Sequence, residues 1–169
     1  MVLGLASALG GGGCSGYLPS PVTPDTGKTA EGPRRDFLTI TEIRWTRGDE
    51  PVVSVSREGV LREGGAAIGV VRADGTFATR NEKAALVMEP DGTIHVGPGF
   101  DMIIGEDGTA VSKVHGQPDE TVTLEQVQKP RGGQPALVPS GLTGATRRTA
   151  MWVLMIPDLL RLRASNEGE

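Results

Sequence analysis

A dipeptide that favours tight turns recurs through the middle of this sequence. Four copies share an acidic residue followed by glycine, and they are Glu58-Gly59, Asp74-Gly75, Asp91-Gly92 and Asp107-Gly108. Their glycines are spaced 16, 17 and 16 residues apart. Asp-Gly between short apolar runs is a strong hairpin signal, because the turn needs a positive φ that glycine adopts without a Cβ clash. The spacing therefore predicts four hairpin repeats.

The segments between these turns are short and rich in β-branched or apolar residues, as strands are. Several alternate, as where Ser54 and Ser56 interleave with Val53 and Val55, which places one row of side chains inward. Sequential antiparallel neighbours predict a mainly β fold, an antiparallel β-meander over residues 36–128 that curls into a roll or small barrel to protect its edges. The predicted strands are 37–45, 52–56, 68–71, 85–88, 93–96, 102–104, 110–114 and 121–126.

The C-terminal part changes character. Residues 129–142 are a loop by composition, and residues 143–163 form a predicted helical segment that Thr143 caps. Its apolar run Ala150–Ile156 ends at Pro157 and is far shorter than the ~20 residues that span a membrane. We favour a helix that covers the sheet with its apolar residues Met151, Val153, Leu154 and Met155. The alternative is a membrane-surface helix whose basic residues meet anionic head groups, namely Arg147, Arg148, Arg161 and Arg163.

The N-terminal segment contains the only cysteine of the chain. Residues 1–14 are apolar or small and end in Gly12-Gly13-Cys14, and residues 15–35 are rich in Pro, Thr and Gly. A composition with so few apolar side chains predicts a disordered tether. The ending at Cys14 resembles a bacterial lipoprotein signal segment, which implies export and acylation of that cysteine. A Gly-rich leader on a cytosolic protein and plain secretion are the alternatives.

This chain combines three features: the N-terminal segment 1–14 that ends at Cys14, the hairpin repeats, and an Arg-Arg-Thr-Ala segment at 147–150. In that combination it resembles a loose group of uncharacterised bacterial envelope lipoproteins. Because neither Ser15 nor Gly16 is the aspartate that retains such proteins at the inner membrane, the resemblance implies the outer membrane. It implies a compartment and an architecture, and no activity.

Charge and motif content argue against several functions. The 17 Lys and Arg are interspersed with 21 Asp and Glu for a net charge of −4, which disfavours nucleic acid as a partner. The chain has no Gly-x-Ser-x-Gly turn, and its Gly-rich stretches, such as Gly64-Gly65 and Gly97-Pro-Gly99, lack the Gly-Lys-Ser/Thr ending that binds phosphate. His95 and His115 lie on consecutive repeats, but no spacing signals a third ligand. We therefore predict no catalytic residues, no metal and no cofactor.

These observations together predict a non-catalytic envelope protein that contacts the membrane through a lipid on Cys14 and presents the meander to a protein partner in the envelope. Two alternatives remain open. One is a small-ligand or metal binder in the mouth of the curled sheet, since small barrels hold single ligands. The other is a hydrolase whose site is assembled from distant loops.

Overall fold

The structure, a computed structural model, describes residues 35–130 and 133–166. Cys14 and all but the last residue of the predicted tether lie outside the described residues. The described residues confirm a mainly antiparallel β fold with a C-terminal helix. The strands are β1 Ile43–Arg47, β2 Glu50–Val55, β3 Val60–Glu63, β4 Ala66–Val71, β5 Thr76–Ala78, β6 Leu86–Val87, β7 Thr93–Gly97, β8 Phe100–Ile104, β9 Ala110–Val114, β10 Glu120–Val122 and β11 Leu137–Ser140. The α-helices are α1 Leu124–Val127 and α2 Arg147–Asn166, and a 3₁₀ turn at Gly144–Thr146 leads into α2.

Consecutive strands pair with each other, as a meander requires. The first sheet has seven strands in the order β11-β1-β2-β3-β4-β5-β6, and the second has four in the order β10-β9-β8-β7. A single antiparallel bridge between Met88 and Ile94 continues the pairing from one sheet to the other. Neither sheet closes on itself, so the structure selects the open roll over the small barrel.

The Asp-Gly pairs form the turns β4–β5, β6–β7 and β8–β9. At the middle turn, Gly92 has a φ of 93° and its N–H donates to the carbonyl of Glu89 at 2.8 Å. The N–H of Glu89 in turn donates to the carbonyl of Thr93 at 2.7 Å, which gives a three-residue loop ending in a left-handed glycine. The Asp91 carboxylate accepts from the N–H of Thr93 at 2.9 Å and stabilises the loop.

Three of the four turn glycines, Gly59, Gly75 and Gly92, also contact the backbone of the following repeat, whereas Gly108 contacts Leu124 and Arg147. The N–H of Ile104 donates to the carbonyl of Gly92 at 2.9 Å, and the N–H of Val71 donates to that of Gly59 at 2.8 Å. A Cβ atom on Gly92 would lie 2.1 Å from the carbonyl oxygen of Ile104. Glycine is therefore required at such a position for two reasons. It adopts the positive φ of the turn, and it has no Cβ atom that would clash with the neighbouring backbone.

Helix α2 supplies the centre of the core. Residues Ala150–Val153 and Ile156 are fully buried, and Leu159 is 1 % exposed. The helix contacts β2 of the first sheet and β7 and β8 of the second. The Nε1 of the buried Trp45 on β1 donates to the carbonyl of Ala150 at 3.2 Å. The sequence favoured a helix that covers the sheet with Met151, Val153, Leu154 and Met155; Met151 and Val153 are fully buried, whereas Leu154 and Met155 are only partly buried.

Two sequence predictions are wrong in detail where local signals compete. The predicted strand 121–126 stops at Val122, because Thr123 begins α1 with a capping box. The Thr123 hydroxyl accepts from the N–H of Gln126 at 3.2 Å, and the Gln126 side chain accepts from the N–H of Thr123 at 2.8 Å. The predicted leading strand 37–45 begins only at Ile43.

Two further corrections concern the C-terminal part. The predicted loop 129–142 contains the strand β11, which pairs antiparallel with β1. Pro139 is tolerated there because β11 is an edge strand. Only one side of an edge strand pairs with a neighbour, so the missing N–H of proline can lie on the unpaired side. Helix α2 continues through Pro157 to Asn166, beyond the predicted end of the segment at 163.

The carboxylate of Asp107, in the turn between β8 and β9, makes the free energy of unfolding depend on pH in the acidic range. The backbone N–H of Thr109, followed by its hydroxyl, lowers the pKa of Asp107 below its ordinary value of 3.8. A lowered folded-state pKa contributes stability above the unfolded pKa and loses it as pH falls through the folded pKa. We therefore expect Asp107→Ala to lower the free energy of unfolding at pH 7, by an amount that shrinks as pH falls below 3.8. Urea unfolding measured from pH 7 to pH 2 checks this.

The matched control is Glu106→Ala in the same turn. The Glu106 side chain is exposed and makes no hydrogen bond or ion pair within residues 35–130 and 133–166, so its removal should leave stability at pH 7 nearly unchanged. Equal losses for the two variants at pH 7, or a constant loss for Asp107→Ala down to pH 2, would contradict the explanation.

Candidate functional site

The two histidines singled out from the sequence lie on the surface. The Nδ1 of His95 lies 2.7 Å from the Oδ1 of Asp101 on the neighbouring strand, with 70 % and 47 % of the two side chains exposed. His115 is exposed as well. Among the residues that the structure describes, no group of three His, Cys, Asp or Glu is arranged to hold a metal ion. The histidines therefore do not form the polar cluster in a cavity that a metal-binding barrel would need.

A cleft lies where the two ends of the meander meet α2, and we call it the seam cleft. Its volume is about 380 Å³, within the range of small-molecule sites. One wall comes from β10 and α1, the opposite wall from β11, β1, β2 and β3, and α2 contributes the remaining side. The cleft exists because β10 pairs with β9 and β11 with β1, so the two terminal strands do not pair with each other. A smaller cleft of about 180 Å³ adjoins it and shares Arg47, Val127 and Leu137.

The walls of the seam cleft are mostly apolar. Five hydrophobic side chains that line it are only partly buried, although they pack against the core. They are Val52, Val127, Leu137, Leu154 and Met155. Partly exposed apolar surface that converges on a concave site is typical of ligand pockets.

Arg47 brings a positive charge into these apolar surroundings. The alternation of β1 places Ile43 and Trp45, both 0 % exposed, on the same face as Arg47. The Nε atom of Arg47 is buried and has no hydrogen-bond partner. No ion pair involves Arg47 within the part of the chain that the structure describes. The rest of the guanidinium is accessible because Arg47 is only half-buried, so an anionic acceptor in the cleft could pair with it.

The opposite end of the seam cleft has the other sign of charge. Arg161 donates to Asp158 at 2.6 Å and to Glu63, so that one guanidinium is shared by two carboxylates. The hydrogen bond that Arg161 donates to Glu63, followed by the negative charge of Glu63, raises the pKa of Arg161 above its ordinary value. Lys129 lines the smaller cleft beside Arg47. The cleft is thus net positive at the Arg47 end and net negative at the Arg161 end.

The charged side chains that line the seam cleft are two arginines and two carboxylates. A nucleophile, a base and an orienting group within mutual reach are needed for hydrolysis. The residues that line the seam cleft include no Ser, Thr, Cys or His. Its two carboxylates, Glu63 and Asp158, are both paired with Arg161, which leaves Arg47 as the unpaired charge of the lining.

The arginines of α2 are engaged by the sheets and turns. Arg147 donates to the carbonyl of Asp107 at 2.6 Å and to Glu125 at 2.5 Å. Arg148 donates to the carbonyl of Pro90 at 3.0 Å, and Arg163 donates to Glu82 at 3.0 Å. With its apolar residues in the core, α2 does not support the alternative of a membrane-surface helix. No helix among the described residues is long and apolar enough to cross a membrane.

Sequence reasoning missed Arg47 and the seam cleft. The sequence did contain a signal for Arg47. It lies two positions after Trp45 in β1, and alternate residues of a strand lie on the same face of the sheet. No comparable signal existed for the cleft, whose lining residues lie as far apart in the chain as Arg47 and Arg161.

The fold and the site together define a class, an open antiparallel β domain around a core helix, with an apolar cleft that contains one unpaired cation. Comparison of the chain with protein-family models, with curated proteins and with solved structures finds no match. The functional assignment therefore depends on the residues described above.

Proposed function

We propose that this chain is a non-catalytic protein of the bacterial cell envelope, anchored by a lipid on Cys14 at the outer membrane. The meander domain would be displayed beyond a tether formed by residues 15–35. The sequence support is the small-residue ending Gly12-Gly13-Cys14 of the apolar segment and the Pro-rich composition that follows it. In this proposal the domain binds an envelope partner and performs no reaction.

The structural observation that carries the proposal is the burial of α2. The apolar side chains of this helix fill the core, and its arginines contact turns and strands. This burial argues against attachment to a membrane through α2 and supports attachment through Cys14 in this proposal. Each buried methylene of an acyl chain contributes about 0.8 kcal/mol and one chain binds only marginally, so more than one chain is needed for stable anchoring.

Metabolic labelling tests the anchor. In a Gram-negative host grown with labelled palmitate, we expect the native chain to incorporate label and to fractionate with the outer membrane. Cys14→Ala should abolish the label, and Ser15→Ala, the matched control one residue on, should retain it. An unlabelled native chain that remains in the cytosol would refute the proposal.

The seam cleft favours one further role, the small-ligand alternative. The unpaired Arg47 and the apolar walls are the observation that supports it. The hydrolase alternative has no comparable support, since the lining of the seam cleft includes no Ser, Thr, Cys or His and its two carboxylates, Glu63 and Asp158, are both paired with Arg161.

A further inference from the structure

The seam cleft combines three features that together specify a ligand. It has apolar walls, a buried guanidinium nitrogen without a partner and opposite charges at its two ends. We propose that the seam cleft binds a single-chain amphiphile with a carboxylate head, such as a medium-chain fatty acid. The carboxylate lies at Arg47 and the hydrocarbon chain lies along the apolar walls.

The unpaired cation, Arg47, indicates that the head group of the ligand is a carboxylate. A planar guanidinium binds a carboxylate through two parallel hydrogen bonds, and such charge-assisted bonds are among the strongest in proteins. The two terminal guanidinium nitrogens of Arg47 are the accessible donors that this head would meet, since only its Nε is buried. One unpaired guanidinium matches one negative charge.

The remaining charges restrict the head group further. Glu63 and Asp158 line the same cleft, and Arg161 is the one cation paired with both of them. This net negative end repels an anion, so the head is directed to the Arg47 end. A phosphate monoester, with its larger negative charge, is less favourable in the same space.

The tail follows from the walls and from the volume. Val52, Leu137, Leu154 and Met155 present partly exposed apolar surface to the cleft, and covering that surface is favourable. The volume of about 380 Å³ lies near the lower end of the ~300–1,000 Å³ range of ligand sites. A single chain fits this space better than a two-chain lipid.

Isothermal titration of the full 169-residue chain with sodium decanoate tests the proposal. The chain carries Cys14→Ala in this experiment, so that the result does not depend on the proposed anchor. We expect one decanoate to bind per chain, and 1-decanol and decyl phosphate to bind more weakly. Absence of decanoate binding, or equal or tighter binding of the alcohol or the phosphate, would overturn the proposal.

Arg47→Gln tests the head-group contact. Loss of charge-assisted hydrogen bonds predicts about 10- to 100-fold weaker binding of decanoate, with little change for decanol. Arg44→Gln is the matched control, because Arg44 lies on the same strand with its side chain exposed and paired with Glu42. A loss for Arg44→Gln as large as that for Arg47→Gln would overturn the assignment. Thermal unfolding followed by circular dichroism establishes that each variant is folded.

A chain-length series tests the tail without any change at Arg47. From hexanoate to decanoate, affinity should rise about fourfold for each added methylene that enters the cleft. An affinity independent of chain length would show that the apolar walls do not bind the chain, and would overturn the proposal even if carboxylates bind at Arg47.

Discussion

Gly92→Ala should lower the free energy of unfolding by about 2–5 kcal/mol. Two effects add at this position. Alanine at a φ of 93° is strained by about 1–2 kcal/mol. The new Cβ would also lie 2.1 Å from the carbonyl oxygen of Ile104, so two hydrogen-bonded backbones must separate. Urea unfolding of the variant and the native chain at pH 7 measures the loss.

Gly116→Ala is the matched control for this prediction. Gly116 has a positive φ of 79°, and a Cβ there would meet no atom within 4 Å. Its loss should therefore be limited to the backbone strain of about 1–2 kcal/mol. If both variants lose the same stability, the contact between successive repeats contributes nothing and the explanation of the glycine spacing is wrong.

Substitution of the two buried tryptophans should separate packing from hydrogen bonding. Trp45→Ala and Trp152→Ala should each lower the free energy of unfolding by about 3–5 kcal/mol, because both side chains are 0 % exposed and leave a large cavity. The Nε1 of Trp45 donates to Ala150, whereas the Nε1 of Trp152 is buried without a partner. These large losses are measurable by urea unfolding.

The phenylalanine variants provide the comparison. Trp45→Phe loses a buried hydrogen bond, while Trp152→Phe removes a donor that had no acceptor. Trp45→Phe should therefore be the more destabilising by at least about 1 kcal/mol. An equal loss, or a larger one for Trp152→Phe, would show that the contact between β1 and α2 through Ala150 is not stabilising.

The predictable part of this fold is local. An acidic residue before glycine specifies a turn through interactions within five residues, so positions such as Asp91-Gly92 could be placed without tertiary information. The meander follows, because short strands joined by such turns pair with their neighbours. The capping box at Thr123 is equally local. It was missed because the alternating residues at 121–126 also fit a strand, which was the structure predicted there.

Other elements required the tertiary structure. The strand β11 contains Pro139 and follows a Gly-rich and Pro-rich segment, so its local preference indicates a loop. It forms because β1 offers an unpaired edge, from Arg44 to Arg47. Helix α2 likewise continues past Pro157, where a helix commonly kinks or ends, because Ile156 and Leu159 on either side are buried in the core.

The amino-acid sequence by itself determined the positions of the Asp-Gly turns, the antiparallel class and the helical C-terminal segment, since each depends on interactions between residues close in the chain. Tertiary structure alone decided that the roll stays open, that α2 becomes the core and that Arg47 faces an apolar cleft. The physical reason is that these features depend on which apolar surfaces, distant in the chain, pack against each other and exclude water. Such burial is set by contacts between β1, β11, α1 and α2, which no local pattern encodes.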